Sequence, residues 1–349
     1  MHRARPNLGK RSEMVSSRLP KNSRLVACDS RLPAFRCASA ARFVVANPCL
    51  PQPPTVPLPI PAPVSSGFTT TTSVPLYWCR YGAPGAPPLL VLHGGPGASH
   101  DYLLPQLLDV SHEHELIFYD QRGGGRSKSD DREPITWRTQ VDDLEAVISE
   151  LGVERPAIVG YSWGGLLALL ATTERATKKV ALPSLLVLID PAPLTRQYRE
   201  RFEAEFARRQ NGDEIQGMRA ELAASGLRER DMDAYRQRAF ELSVAAYFAD
   251  PRAAQNLTPF RVTGRVQQSV WESLGDYDLV RQLDGIGVPA LFVHGREDPI
   301  PFASSEEGAR AMGAKFVLID DCGHVPYVEQ PAALFAATNS FLATGAGQR

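Results

Sequence analysis

The sequence predicts an α/β fold: a doubly wound, mostly parallel sheet with helices on both faces and a helical cap inserted after the sixth strand. Three observations carry the expectation. Short, almost wholly apolar runs stand at residues 88–92, 115–119, 156–159, 185–189, 289–293 and 315–319. The stretches between them repeat their apolar residues at helical spacing, and strands covered on both faces by such helices read as continuous apolar runs. One long interval, residues 194–273, breaks the alternation with charged, helix-patterned sequence and no strand signal.

In chain order, residues 1–66 stand apart. Up to Ala46 they carry eight Arg and two Lys against only Glu13 and Asp29. Between Pro48 and Pro63 eight of sixteen residues are proline, which sustains neither helix nor sheet and makes an extended tether. The folded part is expected to begin near Gly67. An Arg-rich, Ser-containing, acid-poor start has the composition of an organellar transit peptide, and equally that of an unstructured extension or of an upstream start site. The first reading implies an organelle, the others the cytoplasm. No apolar run of about 7 to 15 residues makes the start a secretory signal, and none of about 18 could span a membrane.

Within the folded part, Val141, Leu144, Val147, Ile148 and Leu151 form one helical stripe, and residues 163–173 and 332–342 are equally helical. Residues 67–193 and 274–349 are read as the core. Residues 194–273 are read as the cap, with stripes at Tyr198, Phe202 and Phe206, at Ile215, Met218 and Leu222, and at Met232, Tyr235 and Leu242. Stripes of this kind are more often packing surface than ligand contact, so only a few should face a substrate.

Thirty-eight Lys and Arg against 39 Asp and Glu leave a net charge of −1, so no global field recruits nucleic acid or an anionic membrane. A small molecule or short peptide is the expected partner, and oligomeric state is left open. Of five cysteines, Cys28, Cys37 and Cys49 precede residue 50 and only Cys79 and Cys322 lie in the body, which is no disulfide framework and suits a reducing compartment. No cofactor and no metal is expected: C-x-x-C and H-E-x-x-H are missing, and the run His112, Glu113, His114 has the wrong spacing for two ligands on one helical face. It reads as a solvated helix end.

The chemistry concentrates after the apolar runs. Gly160, Tyr161, Ser162, Trp163 and Gly164 match G-x-S-x-G, with a strand before and a helix after, the context in which the serine is lifted above a sheet edge as a nucleophile. A serine hydroxyl needs a base, and the base needs an acid to orient it. Asp298 follows one later strand and His324 the next, in the order nucleophile, acid, base. Both therefore belong to the sheet edge where Ser162 emerges. His294 and Glu297 compete for these roles, but His294 ends a strand and should point into the structure. The turn His93, Gly94, Gly95, Pro96, Gly97 follows the strand at 88–92; Gly95 and Trp163 are the expected backbone N–H donors to an oxyanion, with His93 fixing the loop.

These motifs, together with Asp120-Gln-Arg-Gly-Gly-Gly-Arg-Ser127, Gly295-Arg-Glu-Asp298 and Gly323-His324, resemble the proline iminopeptidase family of α/β-hydrolases over roughly residues 68 to 343. The resemblance implies a serine exopeptidase that removes an N-terminal residue, often proline, beneath a helical cap. It makes Asp120 to Ser127 a structural loop under the oxyanion turn. Family members that cut peptides hold the substrate's ammonium with acidic residues, and the corresponding positions by spacing are Gln267 and Pro299, neither of them charged. A desolvated ammonium needs a carboxylate, so the candidates are Glu203, Glu205, Glu241 and Glu272. Without such an anchor the expectation becomes a carboxylesterase or lactonase with a neutral acyl pocket. A ligand-binding protein on a hydrolase scaffold is the reading from another class.

Overall fold

The computed structural model describes residues 59–110, 113–130, 135–153 and 155–346. The Arg-rich start, most of the Pro-rich stretch, Cys28, Cys37, Cys49 and His112 lie outside the described residues, and with them the reading of residues 1–46 as a targeting segment. Eight strands form one sheet: β1 (Ser65–Phe68), β2 (Tyr77–Tyr81), β3 (Pro88–Leu92), β4 (Glu115–Tyr119), β5 (Ala157–Tyr161), β6 (Leu185–Ile189), β7 (Ala290–Gly295) and β8 (Lys315–Ile319). Their order is β1-β2-β4-β3-β5-β6-β7-β8. β1 and β2 pair antiparallel with each other, β2 pairs antiparallel with β4, and every later pairing is parallel.

The parallel strands are the apolar runs, and their alternate side chains feed two cores. Leu90, Leu92, Ile158, Leu186, Leu188 and Phe292 face one cluster, which helices α1 (Trp137–Glu150) and α2 (Trp163–Lys178) cover with Val141, Leu144, Leu166, Leu167 and Leu170. Leu89, Val91, Val159, Val187, Leu291 and Val293 face the other. α1 starts where a capping box closes it, the Thr136 hydroxyl accepting from the Thr139 N–H and the Thr139 hydroxyl from the Thr136 N–H.

After β6 come α3 (Arg196–Gln210), α4 (Asp213–Ala224), α5 (Leu227–Arg230), α6 (Met232–Val244) and α7 (Gly264–Leu274). Then α8 (Phe302–Met312) lies between β7 and β8, and α9 (Pro326–Glu329) and α10 (Pro331–Ala346) follow β8. Among the described residues no helix is long and apolar enough to cross a membrane. The inserted helices have only a small cluster of their own, Ile215, Leu242, Ala245 and Ala246, with Phe206, Met218 and Leu222 against it. Val266, Val270 and Leu274 of α7 belong to the α1–α2 core instead, so the division at 273 cuts through a helix of the main body.

The structure departs from the sequence reading in three further places. The sheet begins at Ser65, not Gly67, because the first strand is defined by pairing to β2 (Val64 N–H to the Arg80 carbonyl, 2.8 Å) and not by apolar side chains. His114 is no solvated helix end; it is buried immediately before β4, where the chain enters the sheet. Met232 is 43 % exposed and takes no part in the cap's packing stripe, since it opens α6 on the solvent side.

Candidate active site

Ser162 follows β5 and caps α2 in an unusual conformation, φ 51° and ψ −118°. A non-glycine residue held there costs on the order of 1–3 kcal/mol and persists only where its surroundings enforce it. The enforcement is visible: the Ser162 N–H donates to the Ile189 carbonyl (2.9 Å) and its carbonyl accepts from Ala192 (2.9 Å) and Gly165 (3.0 Å). The flanking glycines are a matter of space. A Cβ on Gly160 would lie 2.6 Å from the Gly164 carbonyl oxygen, and one on Gly164 would overlap the Leu92 carbonyl. The helix therefore packs directly on the sheet and presents the hydroxyl at its positive end.

Asp298 follows β7 and His324 follows β8, and the structure brings both to Ser162. The His324 Nε2 is 2.9 Å from the Ser162 Oγ, and its Nδ1 is 2.7 Å from the Asp298 Oδ2. The second Asp298 oxygen accepts from the Ile300 N–H (2.7 Å). Burial works to raise the Asp298 carboxyl, but the imidazoles of His324 and His294 outweigh it and hold it below the ordinary carboxylate range. Two contacts keep the Asp298 and His324 loops in register: the Glu297 N–H donates to the Cys322 carbonyl and the Cys322 N–H to the Glu297 carboxylate, both 2.9 Å. Glu297, a rival for the acid, is thus a splint between loops. A side chain at Gly295 would run into the backbone of Gly323 and Cys322.

His294, the rival base, is fully buried, with Nδ1 2.8 Å from the Ser305 hydroxyl and Nε2 3.0 Å from the Ile300 carbonyl and 3.2 Å from the Asp298 Oδ2. Asp190, not among the residues singled out from sequence, follows β6 at φ 41° and accepts the Gly295 N–H on Oδ1 (2.8 Å). Burial, with the Asp298 charge added, pushes it well above the ordinary carboxylate range, which favours its neutral form. Asp190, His294 and Asp298 offer ligand atoms within 4.8 Å of one another, a set that could hold a metal ion. Asp298 and both His294 nitrogens already have protein partners. An Asp directly after a fully apolar strand was the available signal for Asp190.

On the other side of the hydroxyl, a Cβ on Gly94 would sit 2.8 Å from the Ser162 Cβ, so the glycine turn that leads to Gly95 lies against Ser162. His93 fixes that turn: its Nε2 accepts the Gln121 N–H (3.0 Å) and its Nδ1 donates to the Gly94 carbonyl (2.8 Å), while burial drives its pKa down to about 4. Gln121 also donates to the His93 carbonyl (2.8 Å) and accepts the Trp163 indole N–H (2.9 Å). Arg122 makes a two-pronged pair with Asp143 of α1 (2.7 and 2.6 Å). The loop from Asp120 is thereby tied to the turn, to α1 and to Trp163.

The four cap glutamates separate. Glu203 and Glu272 line a cavity of about 310 Å³ with Arg199, Phe202, Gln267 and Trp271. There Arg199 pairs with Glu203 (2.8 Å) and lies over the Trp271 ring, and Gln268 donates to Glu272 (2.7 Å). Trp271 in turn meets Trp163 edge-on, ring centroids 5.4 Å apart. Glu205 is committed to Arg208 and Arg209 (2.7 Å each), and the buried Glu241 to Arg238 (2.6 Å) and Gln237 (3.0 Å). Neither lines that cavity. The cap's aromatic stripe does reach the site: Phe202 and Phe206 pack on Tyr247, whose ring stacks on His324.

A hydroxyl, an imidazole and a buried carboxylate in series, at the carboxyl edge of a doubly wound sheet and under inserted helices, define the class as a hydrolase of the α/β-hydrolase fold. Residues 89–338 match the family described as Alpha/beta hydrolase family, and the chain belongs to it. It is 28 % identical over 267 residues to the proline iminopeptidase of Lactobacillus delbrueckii subsp. lactis, covering 70 % of this chain and 86 % of the relative. It is 27 % identical over 308 residues to epoxide hydrolase A of Mycobacterium tuberculosis, covering 78 % and 95 %. The crystal structure of a proline iminopeptidase-related protein from Thermus thermophilus superposes with a TM-score of 0.62 at 22 % identity, covering 80 % of this chain and 97 % of that one. Within that family the chain is similar to proline iminopeptidases.

Proposed function

We propose that the protein is a serine hydrolase that releases the N-terminal residue, proline above all, from small peptides or amides through an acyl-enzyme on Ser162. The observation that carries the reading is the 2.9 Å contact of the Ser162 Oγ with the His324 Nε2, in series with the 2.7 Å contact of His324 with Asp298. Asp298 keeps the imidazole proton on Nδ1, leaving Nε2 free to accept. Ser162 attacks the scissile carbonyl as its proton passes to Nε2, and the oxyanion forms against the N–H groups of Gly95 and Trp163. His324 then gives that proton to the leaving amine and the C–N bond breaks. A water repeats the sequence on the acyl-enzyme: its proton goes to Nε2, the acid is released and Ser162 recovers its hydrogen. On this reading the substrate's ammonium would be held by Glu203 or Glu272, which line one cavity with Gln267.

A second reading, a carboxylesterase or lactonase, is favoured by one observation: the Glu203 charge is already compensated by Arg199, which leaves Glu272, held by the neutral Gln268, to anchor an ammonium. Two experiments test the proposal. A fluorophosphonate probe is expected to label Ser162, and Ser162→Ala to abolish labelling and lower kcat by several orders of magnitude; an unlabelled wild type would remove the serine mechanism altogether. A proline arylamide with a free amine is expected to be cleaved about 100-fold better than its N-acylated counterpart, the scale of a buried charge finding its partner. Equal rates, with faster turnover of neutral acyl esters, would establish the esterase instead.

A further inference from the structure

Glu329 closes the short helix α9, five residues beyond His324, and its carboxylate is spent on backbone. Its Oε2 accepts the N–H groups of Gly323 (3.0 Å) and Val325 (3.3 Å), the residues on either side of His324. Its Oε1 accepts the N–H of Ala249 (2.7 Å), in the segment that leads out of the inserted helices. That segment meets the His324 loop twice more. The His324 N–H donates to the Tyr247 carbonyl (2.7 Å), and the Tyr247 ring stacks on the imidazole with centroids 5.0 Å apart. The fit leaves no slack, because a Cβ on Gly323 would lie 2.7 Å from the Ala249 nitrogen.

We propose that Glu329 is a positioning residue for the base: as a carboxylate it gathers three backbone N–H groups and holds the His324 loop against residues 247–249, and on taking up a proton it releases part of that grip and lets the imidazole leave its line with Ser162. The chemistry is one of donors and acceptors. An ionised carboxylate only accepts, whereas the neutral acid carries an O–H that faces one of these three N–H donors and cannot satisfy it. The group also titrates where this matters. Burial raises it, the three N–H groups pull it down in part, and the Asp298 charge raises it again, to about 7. Its charge makes Asp190, Cys322 and Tyr327 harder to ionise, and the 247–249 segment meets its carboxylate with the Ala249 backbone N–H.

The proposal rests on the reading of His324 as the base of Ser162, and the assay separates the two. The rate of fluorophosphonate labelling at Ser162 is followed against pH for wild type and Glu329→Gln, which is isosteric with the protonated acid. The wild-type rate is expected to exceed the variant's about tenfold near pH 8.5 and to converge on it near pH 5.5, a loss within the range that small misplacements of a reacting group produce. A ratio independent of pH, whether one or ten, overturns the proposal, because a merely structural role gives a constant ratio. A wild type that does not label overturns the reading of the base itself. Hydrogen exchange of wild-type peptides covering 245–250 and 321–328 needs neither labelling nor the variant: protection, corrected for the intrinsic rate, is expected to fall together in both segments below about pH 7. Unchanged protection overturns the proposal on its own.

Discussion

Replacing Asp298 by Asn tests the relay at the point where charge and geometry are hardest to separate by eye. One carboxylate oxygen accepts from the His324 Nδ1–H at 2.7 Å and the other from the Ile300 N–H at 2.7 Å, so both sites demand an acceptor. An amide can supply only one. With its oxygen toward Ile300, its NH2 faces Nδ1 and forces the proton to Nε2, where it blocks the uptake of the serine proton. With its oxygen toward His324, it leaves the buried Ile300 N–H against a second donor and removes the charge that stabilises the imidazolium. Loss of a charge-assisted hydrogen bond costs about 1.5–3 kcal/mol and an unsatisfied buried donor about 1–3 kcal/mol. Together they give about 2.5–6 kcal/mol on the barrier, or about 10²- to 10⁴-fold in kcat/KM. The assay is kcat/KM on a proline arylamide and on an acyl ester, with Tm measured alongside. A loss below about tenfold in a variant of unchanged Tm would refute the assignment of Asp298 as the charged partner of His324.

The other substitutions probe the surroundings of that carboxylate. Asp190→Asn is expected to keep kcat/KM within about threefold, since a neutral carboxyl and an amide carry the same charge; a loss as large as that of Asp298→Asn would show that the charge resides on Asp190. Gly295→Ala would drive a Cβ into the backbone of the His324 loop and is expected to lower kcat by about 10²-fold through misplacement of base and acid, with a lowered Tm; wild-type kinetics would mean the loops have room to part. Glu203→Gln or Glu272→Gln is expected to raise KM for the free-amine arylamide while sparing a neutral ester, and Glu205→Gln and Glu241→Gln to change neither. An amine preference that survives all four places the ammonium elsewhere.

The parallel half of the sheet was legible because β3 to β7 are nearly uninterrupted apolar runs, which a strand covered on both faces must be. β1 and β2 were not: Ser65 and Ser66 lie at a solvent-facing edge and Tyr77–Tyr81 mixes Arg80 with aromatics, so only their pairing defines them. The meeting of Ser162, Asp298 and His324 could be read because each follows a buried run at the same sheet edge, and a one-dimensional pattern records that. Asp190 and Glu329 act through contacts between loops from different strands, 105 residues apart for Asp190 and Gly295 and 80 for Glu329 and Ala249, and no local pattern encodes such a meeting. The cap glutamates were indistinguishable in sequence; only the pairing of each with a neighbouring Arg or Gln, and the position of Glu203 and Glu272 around one cavity, separates them.

The order of the strands has a consequence for the chain during its own synthesis. β5, which delivers Ser162, lies in the middle of the sheet, while β7 and β8, which deliver Asp298 and His324, are the outer strands on one side and leave the ribosome after it. The hydroxyl and the imidazole are separated by 162 residues. A nascent or C-terminally clipped chain that has folded through β6 holds the serine without its base. On the proposed serine mechanism such a chain is not acylated by passing substrates or inhibitors at the rate of the finished one, so chemical competence arrives with the docking of β8 and the loop behind it.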